Sequence, residues 1–133
     1  MGELSKVILA VDDEFIILES LRIQLERNFG NDYILEFSDS AEVALDILQE
    51  LHGENKIISL IITDWMMPGM KGDEFSRLVR QQYPEAKLVM LTGQVDHNVL
   101  KVVLEQNLVD KVISKPWSEY QIKEAVEELI PSA

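Results

Sequence analysis

Short apolar runs alternate along the chain with longer segments whose apolar residues recur every three or four positions. Runs of the first kind suit buried strands, and the spacing of the second gives a helix one apolar stripe. Residues 6–11 form the first run and end at Asp12-Asp13-Glu14. A helix is expected over 14–29, with Leu18, Leu21, Leu25 and Phe29 on one face and Gly30 as its stop. Residues 32–37 alternate, placing Tyr33, Leu35 and Phe37 on one side and Asp32 and Glu36 on the other, as in a half-exposed edge strand. Ser38-Asp39-Ser40 can cap a second helix that turns Ala41, Ala44, Leu45, Leu48 and Leu51 inward, with Gly53 beyond it.

Residues 57–63 are the strand around which the chain is organised. Only Ser59 interrupts the apolar residues from Ile57 to Ile62, so both faces are expected to be buried. The run stops at Asp64, and Met66-Met67-Pro68-Gly69 then prevents both strand and immediate helix. Gly72-Asp73-Glu74 opens a third helix that reaches Tyr83 and closes at Pro84. A strand over 87–91 ends in Thr92-Gly93, and a helix over 94–106 follows. A fifth strand over 109–114 ends in Lys115-Pro116. The last helix, over 117–130, buries Ile122, Val126, Leu129 and Ile130.

This alternation predicts an α/β fold: a doubly wound, five-stranded parallel sheet with helices on both faces and right-handed crossovers. The 133 residues suit one domain, 1–133, with its core at 5–130. No apolar run approaches the roughly 18 residues of a membrane span. Residues 1–6 lack the regions of a signal peptide, and with zero Cys there is neither a disulfide framework nor thiolate chemistry. A cytoplasmic setting without membrane contact is therefore expected. The formal charge of −12, from 12 basic and 24 acidic residues, argues against direct nucleic-acid binding. It also repels phosphate-bearing molecules at long range, so phosphoryl chemistry would need local cations.

In a parallel sheet the carboxyl ends of the strands point the same way, and ligands bind in the crevice beyond them. Here those ends deliver Asp12 and Asp13, then Asp64, then Thr92, then Lys115. Each has an ordinary explanation alone: an acid capping a helix, a threonine finishing a strand, a Lys-Pro turn. Together they form a set. Two like charges about 4 Å apart cost roughly 1 kcal/mol in water and about 4 kcal/mol at an intermediate dielectric. A hard divalent cation offsets this, and oxygen ligands with open water positions suit Mg2+. One carboxylate could then act as a nucleophile toward phosphorus and form an aspartyl phosphate. Lys115 would supply a second cation and Thr92 a hydrogen bond to the phosphoryl oxygens.

Val11-Asp12-Asp13-Glu14, the segment from Thr63 to Gly72, Leu91-Thr92-Gly93 and Lys115-Pro116 together resemble the receiver domain of two-component response regulators, in its chemotaxis-regulator-like form. The likeness runs from the first strand to the fifth. It implies the flavodoxin-like strand order 2-1-3-4-5. By position it implies that Asp64 is the phosphoacceptor, and that Asp12, Asp13, Asp64 and the backbone carbonyl of Met66 hold Mg2+. Thr92 and Lys115 would bind the phosphoryl group. The donor would be a phosphohistidine on a sensor histidine kinase or phosphotransfer protein, and an output partner or domain would read the change. The Lys-Pro bond is commonly cis in such domains.

Val112 stands where the family usually places a switching Tyr or Phe, so signalling is expected to rely on backbone and helix shifts over 94–106. Met66 and Gln94 should flank the phosphoryl group. A thioether cannot position water by hydrogen bonding, which predicts a long-lived phosphoryl state. Trp65 should pack beside the crevice, Met66, Met67 and Met70 should pack in their loop, and His52 and His97 should face solvent. The helix over 94–106 carries more apolar residues than one stripe needs. Three other readings compete. A flavin-binding module would need a Ser/Thr/Gly-rich phosphate loop where Asp12-Asp13-Glu14 stands. An aspartyl phosphatase would want a second Asp where Met66 stands. A degenerate receiver serving only as a protein-interaction scaffold would not need the intact acids.

Overall fold

The computed structural model describes residues 5–93 and 97–130. Ten elements alternate: β1 (Lys6–Val11), α1 (Phe15–Phe29), β2 (Ile34–Ser38), α2 (Ala41–Gly53), β3 (Ile57–Asp64), α3 (Gly72–Gln82), β4 (Lys87–Thr92), α4 (His97–Glu105), β5 (Lys111–Ser114) and α5 (Glu119–Leu129). The strands form one parallel sheet in the order β2-β1-β3-β4-β5. This is the doubly wound, flavodoxin-like architecture expected from the sequence, and it carries all five carboxyl ends to one edge.

Strand parity divides the core. Val7, Leu9 and Val11 of β1 join α2 and α3 residues such as Ala44, Leu48, Phe75 and Val79 on one face. Ile8 and Ala10 join Leu21 and Leu25 of α1 and Ile122 and Val126 of α5 on the other. In β3 the parity changes partway. Val7 pairs with Ile58 and Ile8 with Leu60, so Ser59 is an extra residue in a bulge. The bulge is why Ile58 and Ile61, an odd number of positions apart, face the same core.

Several boundaries differ from the expected ones for local reasons. The edge strand β2 begins at Ile34, because the amides of Asp32 and Tyr33 both donate to Phe29 O at the end of α1. Gly30 has φ −63°, so it stops α1 without a left-handed turn. A Cβ there would lie 2.6 Å from Glu26 O, which is the reason only glycine fits. Gly53 lies inside α2 rather than beyond it, and the left-handed residue is Asn55 at φ 63°. β5 is shorter than expected, beginning at Lys111, because Leu108 N turns back to Val103 O. α5 begins at Glu119 because Ser118 and Gln121 form a capping box. Among the described residues, no helix is long and apolar enough to cross a membrane.

Candidate functional site

Asp12 follows β1 and is fully buried. Its backbone is held by a hydrogen bond from Asp12 N to Ser38 O (3.1 Å), and its Oδ1 accepts from Glu14 N (2.9 Å). That second bond caps the entry to α1, where Glu14 supplies no side-chain cap of its own. Asp64 ends β3 and is 4% exposed. Its Oδ1 accepts from Trp65 N at 3.0 Å, which fixes the carboxylate against the backbone. Trp65 N also donates to Leu91 O at the end of β4.

Lys115 reaches across from the end of β5. Its Nζ lies 3.0 Å from Asp64 Oδ1, 3.2 Å from Asp12 Oδ2 and 3.7 Å from Glu14 Oε1. The Asp12 contact is one of charge, without hydrogen-bond geometry. The lysine backbone is anchored by Lys115 N donating to Thr92 O at 2.7 Å, and the Lys115-Pro116 peptide is cis. Thr92 is buried, and its Oγ1 has no hydrogen-bond partner among the described residues.

Burial raises the pKa of Asp12 above the ordinary carboxylate range; the Glu14 amide opposes it, Asp64 adds to it and Lys115 opposes it. Burial also raises the pKa of Asp64, against Lys115 and the Trp65 amide, with a further rise from the charge of Asp13. Burial works against the Lys115 ammonium, but Asp64 and Asp12 outweigh it, and the lysine is held above its usual range. The site is thus a desolvated cluster of acids with incomplete compensation from one cation.

Carboxylate oxygens of Asp12, Glu14 and Asp64 lie within 4.8 Å of one another. An all-oxygen set of this kind, with Asp12 Oδ2 and Thr92 Oγ1 buried and lacking hydrogen bonds among the described residues, fits a hard divalent cation.

The structure therefore brings Asp12, Asp64 and Lys115 into direct contact and sets Thr92 beside them on the neighbouring strand end. Asp13 is exposed and lines a groove of about 380 Å³ with Phe15, Phe37 and Val43, so it stands at the rim. Glu14 was given no metal role from the sequence, yet its carboxylate belongs to the close set; its position two residues after Asp12 was the only signal. Met67 and Met70 pack against the core as expected, whereas the Met66 side chain is 57% exposed. Trp65 packs against the same core. His52 is exposed and meets Tyr83 edge-on at 5.7 Å. Gln94 lies outside the described residues, as do the side chains of His97, Val99 and Val102. Val112 is half-buried against the core face that contains Met90. Phe15 and Ile16, which no periodicity in the sequence singles out, lie off the buried stripe of α1 and are 75% and 77% exposed.

Comparison with known proteins matches residues 8–127 to the response regulator receiver domain. The chain is 30% identical over 125 residues to a chemotaxis protein CheY homolog of Campylobacter jejuni, covering 92% of this chain and 91% of that protein. It is 28% identical over 117 residues to the hydrogenase transcriptional regulatory protein HoxA of Cupriavidus necator; this match covers 88% of the chain but only 22% of the longer protein. A solved CheY-like receiver domain protein from Methanospirillum hungatei superposes with a TM-score of 0.80 at 28% identity, covering 95% of this chain and 93% of that one.

Proposed function

Because the chain belongs to the response regulator receiver domain family, matched over residues 8–127, we propose that Asp64 accepts a phosphoryl group from a phosphohistidine on a sensor histidine kinase or phosphotransfer protein. As a receiver of two-component systems it is a regulatory signalling domain. The observation that carries this assignment is the Lys115 ammonium, which bridges two buried carboxylates at 3.0 and 3.2 Å beside a Thr92 hydroxyl that has no partner among the described residues.

In the transfer, an Asp64 oxygen bonds to phosphorus as the phosphorus–nitrogen bond to the donor histidine breaks, and the imidazole leaves with the electron pair. Lys115 and Thr92 meet the phosphoryl oxygens, where they offset charge and donate a hydrogen bond. Asp12 and Asp64, with Glu14 in the same close set, would hold Mg2+, and the family pattern adds Asp13 and the Met66 carbonyl as ligands. When bound, the ion would supply further charge neutralisation on the phosphoryl oxygens. The Trp65 amide orients the Asp64 carboxylate throughout.

The exposed Phe15, Ile16 and Met66 offer the donor protein an apolar landing area beside the acids. With Val112 in place of an aromatic, the change is read through backbone and helix shifts in the α4 region and passed to an output partner or domain. The charge of −12 favours a protein surface with basic character as that partner.

Intact-mass measurement after incubation with Mg2+ and a small phosphodonor tests the assignment. The unaltered chain gains one phosphoryl group, and Asp64→Asn gains none. An unchanged mass in the former overturns it and favours the scaffold reading; the same gain in both overturns it by placing the phosphoryl group on another residue.

A further inference from the structure

We propose that Glu42 is a positioning residue for this site: its carboxylate fastens the arc between Asp64 and Gly72 to the first turn of α2. The inference rests on the reading of Asp64 as the acceptor.

The arc leaves β3 and turns back on itself. Gly72 N donates to Trp65 O at 3.0 Å, closing its base. A Cβ on Gly72 would lie 2.3 Å from Asp64 O and 3.0 Å from Trp65 Cα, so the returning backbone presses on the acceptor residue itself. Any displacement of the arc is therefore transmitted to Asp64. One side of the arc is anchored by Met67, buried with Ala41 and Ala44 of α2 in the same core. Met66, beside it, projects into solvent.

The far tip has one further tie among the described residues. Met70 N donates to Glu42 Oε2 at 3.2 Å, across 28 positions of sequence. Gly69 makes the approach possible in two ways. Its φ is +78°, and a Cβ there would lie 2.8 Å from that same carboxylate oxygen. A glycine at the tip and an acid at the start of α2 thus form one contact. Without the acid, the Met70 amide turns to water and the arc opens more readily. Met66, whose carbonyl belongs to the proposed metal set, moves with it.

Glu42 also lies in the first turn of α2, where any negative charge is favourable to the helix. The two effects separate chemically. Gln keeps an oxygen that can accept from Met70 N but loses the charge, whereas Ala loses both.

The test compares the unaltered 133-residue chain with Glu42→Ala and Glu42→Gln. Hydrogen exchange at the Met70 amide is read without metal, and Mg2+ affinity is read by Trp65 fluorescence. In Glu42→Ala, Met70 exchange should rise about three- to tenfold and Mg2+ binding should weaken about threefold, the equilibrium weight of one exposed, charge-assisted hydrogen bond. Glu42→Gln, with a neutral acceptor in place of the carboxylate, should keep part of the effect and fall between the unaltered chain and Glu42→Ala in both. Unchanged exchange in Glu42→Ala overturns the inference, and so does a Gln variant that matches Ala, which would assign the effect to charge on the helix. If the unaltered chain shows no Mg2+ response, the reading of the site fails, while the exchange comparison still decides what Glu42 holds.

Discussion

One ammonium faces three carboxylates at the end of the sheet. Lys115 can serve Asp12, Asp64 and Glu14 at once only because its backbone is tied to Thr92 O, which sets the origin of a long side chain. Acid crowding recurs on a smaller scale at the sheet edge, where it is easier to isolate. Burial raises the pKa of Glu36 on β2, and the charges of Glu50 and Glu54 raise it further. A carboxyl whose pKa is higher folded than unfolded contributes its stabilisation below the unfolded value, and loses it as pH rises through the folded one. Glu36 is therefore unfavourable at neutral pH. Glu36→Gln should raise stability at pH 7 by a few tenths of a kcal/mol, the size of a like-charge contact near the surface. The gain should vanish below about pH 4, where glutamates are protonated in both states. Paired urea denaturation of the two proteins at both pH values measures the difference and cancels the titration of the remaining acids.

Between elements, a second fastening lies at the opposite end of the strands. Arg80 of α3 donates to Leu108 O (3.2 Å), Ala86 O (3.1 Å) and Asp110 Oδ2 (2.8 Å), and Leu88 N donates to the same carboxylate oxygen at 2.8 Å. One side chain thus joins α3 to the turns that lead into β4 and β5. Arg80→Ala strips donors from two carbonyls and a carboxylate, and should cost about 2 kcal/mol; Asp110→Asn, which keeps one acceptor oxygen, should cost about half that. A lower urea midpoint at unchanged slope would report it. This clasp was not legible in the sequence, because nothing local links Arg80 to Leu108. The elements themselves were legible, since each strand and helix has its own apolar period. The start of α2 was legible as well, in the Ser40 cap that takes Val43 N; the starts of α1 and α5, where Asp12 and Ser118 take the backbone amides, were not. The bulge at Ser59 was visible only as a polar residue in an apolar run; its meaning comes from pairing with β1. In the site, Asp12, Asp64, Thr92 and Lys115 could be placed by strand-end logic alone. Glu14 could not, because its turn toward Lys115 depends on a helix entry that periodicity does not describe.

Across the whole molecule, the charge of −12 and the buried acids act in the same direction: the fold carries more negative charge than it can compensate. Sites of this kind are held at a cost in stability, and the cost is recoverable when the function is removed. Asp64→Asn removes one desolvated charge, keeps an amide oxygen for the Trp65 N–H, and leaves Lys115 paired with Asp12. Without metal, this variant should be more stable than the unaltered chain by about 1 kcal/mol, raising its melting temperature by roughly 3–5 °C. Mg2+ should reverse much of the gap, since an ion that binds the folded state stabilises it by mass action and the variant has lost a ligand. Thermal unfolding of both proteins with and without Mg2+ reads all four values. If the variant melts lower than the unaltered chain in the absence of metal, Lys115 already compensates the acids in full. The site would then be a settled ion-pair network rather than one waiting for a cation.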